Sequence, residues 1–138
     1  MRPVLSPQAA LIYVMVITSA SDADMSDPEL HAIGEIVKTL PAFTGFDPNN
    51  LLRVSQECAA VLSESNGLDQ ALSMIREALL GTHLAETALI LALEVSLSHR
   101  KVVTEELRVL DRLRETLGLD RLVTAALERA ARARFAKA

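Results

Sequence analysis

The chain reads as a series of apolar blocks separated by short polar punctuation. No stretch sustains the two-residue alternation of a half-buried strand, so the pattern predicts helices throughout. The first helix is expected from Pro7 to Ala20, with Ser6 as N-cap and Pro7 at the first helical position. A second opens at Pro28 behind Asp27 as N-cap and stops before Pro41. The loop "PAFTGFDPNN" follows, and its Asp47-Pro48 repeats the same opening for a third helix that ends near Asn66-Gly67. A fourth helix covers Asp69 to Leu80 and stops at Gly81, and a fifth covers His83 to Leu97. Thr104 caps a sixth, which ends at Gly118; Asp120 caps a seventh, which is expected to run into the C-terminus. The short gaps favour antiparallel neighbours, so the expected fold is an all-α, single-domain bundle of about seven helices over residues 1–138.

The pattern also echoes itself. Shifting the first helix pair by 77 positions places Glu29-Leu30 on Glu106-Leu107. Ile12 then falls on Leu89, Val14 on Leu91, Ile33 on Leu110 and Ile36 on Leu113. Each copy is an apolar helix, a polar loop and an amphipathic helix, which suggests two related helical hairpins around one core.

Composition sharpens this picture. Half the residues are hydrophobic, which argues against global disorder. Three Phe, one Tyr and no Trp leave an aliphatic core of Ala, Leu, Ile and Val, a composition that favours helix. A single cysteine, Cys58, allows no intramolecular disulfide and fits a reducing compartment. The segment from Met1 to Ala23 has a basic residue, an apolar run and small residues, as a secretory leader would. However, Pro3 and Pro7 precede the run, and its likeness returns at "ETALILALEVSLS", so it is read as a core helix. The run Ala9–Ile17 also falls short of the roughly 20 residues that span a bilayer.

The net charge of −4 conceals an asymmetry: residues 1–99 carry four basic and twelve acidic side chains, and residues 100–138 carry ten and six. An acidic body with a basic end is suited to an anionic surface or to head-to-tail pairing, unless the charges merely solvate helix faces.

The stretch "SDADMSDPEL" concentrates four carboxylates in ten residues. It is not an orthodox calcium loop. Counted from Asp22, Asp24 and Ser26 suit positions 3 and 5, but Asp27 stands where the turn needs glycine and Ile33 where it needs a closing glutamate. Two readings remain. Asp22, Asp24 and Glu29 are candidate ligands for a hard divalent cation such as Ca²⁺ or Mg²⁺. Alternatively, Asp27 caps the second helix while Glu29 lies at the positive end of its dipole, or Ser26 and Glu29 form a capping box.

The segment "VITSASDADMSDPELHAIGEIV" resembles the signature of the TerB-like tellurite-resistance family, in which an apolar helix leads into an Asp-Gly-x-hydrophobic-Ser-x-x-Glu pattern. The corresponding residues are Asp22, Ala23, Asp24, Met25, Ser26 and Glu29. The segment "ALEVSLSHRKVVTEELRVLDRLRETLGLD" resembles a degenerate second copy. The resemblance implies an all-helical bundle, a cytoplasmic location and a non-enzymatic stress-response role. It also implies metal binding by Asp22 and Glu29, supported by Asp24. Two departures stand out. Ala23 replaces the glycine, which restricts positive φ, and the second loop carries His99, Arg100 and Lys101, which would repel a cation.

Other chemistry has little footing. His31, His83 and His99 show no zinc-hydrolase spacing, and no nucleophile elbow, phosphate-binding loop or dinucleotide fingerprint occurs, so an enzyme is not expected. The seventh helix carries Arg121, Arg129, Arg132, Arg134 and Lys137. Leu122, Val123, Ala126, Leu127 and Ala130 form its expected apolar stripe. If the metal reading fails, the alternative is a scaffold that uses this helix on another protein or an anionic membrane surface. Nothing in the helix suggests groove-reading of nucleic acid, and no small-molecule substrate is indicated.

Overall fold

A computed structural model describes residues 5–19, 27–98 and 104–138. Its helices are α1 (Pro7–Ser19), α2 (Asp27–Thr39), α3 (Leu51–Leu62), α4 (Gly67–Leu79), α5 (Ala85–Ser98), α6 (Thr104–Leu117) and α7 (Arg121–Arg134). Short 3-10 helices at Pro41–Phe43 and Pro48–Asn50 fill the α2–α3 connection, and the described residues contain no strand.

α1 organises the rest. From Ala9 to Ser19 every residue is buried, whichever side of the helix it occupies. A helix apolar all round must be enclosed. α3, α4, α5 and α6 pack against it, with α5 the most extensive neighbour. α5 has the same character: Ala88, Leu89, Leu91, Ala92, Leu93 and Val95 are buried, and its other side carries α7. The polar groups inside this core are few. The Thr18 hydroxyl donates to Val14 O at 2.6 Å and that of Ser19 to Val16 O at 3.3 Å, so both are satisfied within the helix.

Local signals set the helix starts. Ser6 Oγ accepts from Ala9 N at 3.0 Å, as expected of an N-cap, and Asp120 Oδ1 accepts from Leu122 N at 3.0 Å. Asp47 Oδ1 accepts from Asn49 N at 2.9 Å, but the turn it caps is 3-10 and the α-helix begins only at Leu51. The third helix therefore starts later than the Asp-Pro signal predicts. Gln8 Nε2 ties the loop to α1 by donating to Ala42 O at 3.2 Å and Thr44 O at 3.1 Å. Phe43 and Phe46 pack edge to face within the loop, centroids 5.8 Å apart. α7 stops at Arg134 instead of reaching the C-terminus.

Between α3 and α4 the chain reverses in four residues. Asn66 adopts the left-handed region, φ 56°, and Gly67 begins α4 directly against the end of α3. A Cβ at Gly67 would stand 2.4 Å from Val61 O and 2.6 Å from Leu62 O. Only glycine allows that approach.

The 77-residue shift carries α1 onto residues 84–96 and α2 onto 104–116, close to the observed bounds of α5 and α6. Ile12 and Leu89, Val14 and Leu91, and Ile33 and Leu110 are buried in both positions; Ile36 is half-buried where Leu113 is fully buried. α2 sits at the periphery, packing on α1 and on the two 3-10 turns, with Ile33 and Val37 as its buried residues.

Two stability outcomes follow. Leu89→Ala opens a cavity at the α1–α5 contact and should cost about 2–5 kcal/mol in urea unfolding, whereas Leu122→Ala, at a side chain 79% exposed, should stay within about 0.5 kcal/mol. Equal costs would contradict this placement of the core. Gly67→Ala should lose about 1–3 kcal/mol by the same measurement, through the carbonyl clash alone.

Candidate functional site

Of the three candidate ligands, Asp22 and Asp24 lie outside the described residues. Glu29 is described. It stands in the first turn of α2, half-buried, with its Oε2 shielded from solvent. Asp27 begins that helix and is exposed. Two carboxylates in the first turn oppose the positive end of the helix dipole, so the capping reading and the ligand reading draw on the same geometry.

Glu29 faces a cavity of about 130 Å³. Ser19 at the end of α1, Ile33 and Ile36 of α2, Val95 of α5 and Phe135 beyond α7 form its walls, and a second carboxylate, Glu94, also lines it. Glu94 is the one charge between Ala88 and Leu97, within the apolar run of α5. That interruption was the sequence signal for it, but nothing local linked it to a residue 65 positions earlier. Arg134 Nε lies 3.1 Å from Glu94 Oε1, so the end of α7 is held to α5 beside the cavity. The structure thus brings Glu29 together with Glu94. Among the described residues no group of three or more His, Cys, Asp or Glu side chains is placed to hold a metal ion.

The described histidines, His31 and His83, belong to no such group. His31 is exposed, with Nε2 3.9 Å from Glu35 Oε1 one turn away, His83 is exposed, and His99 lies outside the described residues. Cys58 is fully buried in α3, and burial pushes its thiol up to about 12. It is a small core side chain without thiolate character.

α7 holds the second candidate surface, and here the expected stripe divides. Val123, Thr124, Leu127 and Ala131 face the body, whereas Leu122, Ala126 and Ala130 face solvent. Two ion pairs accompany this roll: Arg134 with Glu94, and Arg114 of α6 with Glu128. The outer half of the helix presents Arg121, Leu122, Ala125, Ala126, Arg129, Ala130, Arg132 and Ala133, with no carboxylate among them. Arg121, Arg129 and Arg132 make no ion pair among the described residues.

Comparison with protein-family models, curated proteins and solved structures found no match. No helix among the described residues is long and apolar enough to cross a membrane.

The Cys58 thiol supplies a direct check. Its folded value lies above the ordinary thiol value of 9.0, so its contribution to stability is intact below pH 9 and is lost as pH climbs towards about 12. A disulfide-exchange reagent at pH 8 should label Cys58 orders of magnitude more slowly in the native protein than in urea; comparable rates would place the thiol at the surface.

Proposed function

We propose that this chain is a TerB-like, non-enzymatic stress-response protein of the tellurite-resistance type, working in the cytoplasm. Its activity is the binding of a divalent cation of the Ca²⁺ or Mg²⁺ class at the bend between α1 and α2. Asp22, Asp24 and Glu29 are the ligands in this reading. The observation that carries it is the position of Glu29, a half-buried carboxylate at that bend, beside a small cavity it shares with Glu94. Hard cations favour such oxygen sets, and a second carboxylate nearby raises the negative potential where the cation would arrive. The near-coincidence of α1–α2 with α5–α6 under the 77-residue shift supports the duplicated hairpin that the family resemblance implies. A cation held between the end of α1 and the first turn of α2 would set the angle of α2, the more peripheral of the two helices.

Glu29→Gln removes the charge and keeps the shape. Isothermal titration with Ca²⁺ and with Mg²⁺ should show at least about a tenfold loss of affinity for the preferred ion. Amide shifts in the wild-type protein should concentrate near Glu29. Unchanged affinity, or shifts spread evenly over the acidic body, would remove the metal reading.

A second reading is favoured by the carboxylate-free outer face of α7: a scaffold that docks an acidic protein or a membrane surface without an ion. Such docking would survive a chelator, which the first reading would not.

A further inference from the structure

We infer that the outer face of α7 is an adhesion surface for an anionic lipid bilayer. The inference rests on the second reading above and names its partner. Three arginines, Arg121, Arg129 and Arg132, lie along one side of that face, and Leu122 lies beside them, 79% exposed. The remaining positions are alanines. Alanine presents no bulk and no polar group, so the helix can lie flat on an interface along its full length, about 21 Å for fourteen residues. Leu122 is the apolar group available to enter the headgroup boundary, and the arginines reach lipid phosphates from the helix flank.

The rest of the molecule enforces the orientation. Residues 121–138 carry five basic side chains and one acidic, whereas residues 1–120 carry nine and seventeen. An anionic surface therefore attracts α7 and repels the body, which leaves one favourable way to approach. Inward packing of Val123, Leu127 and Ala131, together with the pairs Arg134–Glu94 and Arg114–Glu128, already presents this face, so no rearrangement is needed before contact. Nucleic acid fits less well. The face carries no aromatic ring to stack on a base.

The test is cosedimentation of the full chain with phosphatidylglycerol–phosphatidylcholine vesicles in EDTA, set against pure phosphatidylcholine. Binding should require the anionic lipid and fall with salt. Replacing Arg121, Arg129 and Arg132 together by Gln should lower the partition coefficient roughly a hundredfold, because each basic residue near the surface contributes a factor of about five. Replacement of the same three by Lys should retain most of the binding, and Leu122→Ser should lose about tenfold. All these positions are exposed, so each variant should keep its helices, with circular dichroism as the control. Absence of vesicle binding overturns the inference. If the face then drives concentration-dependent self-association, or binds an acidic polypeptide or an oligonucleotide in a manner the Gln variant abolishes, α7 remains a docking surface and only the lipid assignment falls. If it binds none of these, the scaffold reading falls with it.

Discussion

Enclosing α1 on every side is the constraint from which the rest of the fold follows. Eleven consecutive residues of that helix, Ala9 to Ser19, are buried, so no face of it can be left to water. One partner covers only part of a helix circumference. Most of it is covered by α3, α4, α5 and α6, with a smaller contact from α2, and α5 is itself so apolar that it needs a cover of its own in α7. The bundle therefore has two central helices and a ring of amphipathic ones. Helices in the ring bury one side and leave the other free, and α2 and α7 expose most of theirs.

The candidate chemistry lies on those two helices for the same reason. α1 and the core of α5 are occupied with packing, and a charged group there would face an apolar neighbour. Glu94 shows how the fold tolerates one. It sits on α5 at the edge of the core, where Arg134 reaches it and Glu29 lies across a small cavity. The first turn of α2 and the last turn of α7 thus meet the same carboxylate. Proposed cation binding at the α1–α2 bend and proposed docking through α7 would act within one neighbourhood of the molecule, and the acidic body and basic final helix give the two opposite electrostatic preferences.

Gly67 and the long α2–α3 connection show a different balance. The α3–α4 turn brings the Gly67 backbone so close to the end of α3 that an added Cβ would stand 2.4 Å from Val61 O, so its geometry is set by one residue. The connection depends on several weak contacts together: two hydrogen bonds from Gln8, the Phe43–Phe46 pair and two 3-10 turns. The Asp47-Pro48 signal marked a helix start, and it does cap a turn, but those contacts hold the backbone in 3-10 form until Leu51.

The sequence by itself determined which segments are helical, where Ser6 and Asp120 begin two of them, and that α1 and α5 are the apolar pair. Those properties depend on near neighbours and on composition, which the chain carries in its own order. It did not determine which side of α7 faces inward. Leu122, Ala126, Ala130 and the set Val123, Leu127, Ala131 are all apolar, and along the chain they merge into one broad stripe. Packing of Val123, Leu127 and Ala131 on the body makes the choice, and the Arg134–Glu94 and Arg114–Glu128 pairs, formed with remote residues, agree with it and leave the arginine-rich side outward. Only the tertiary structure could set Glu94 beside Glu29, because a bundle brings residues together by helix packing and without regard to their distance along the chain.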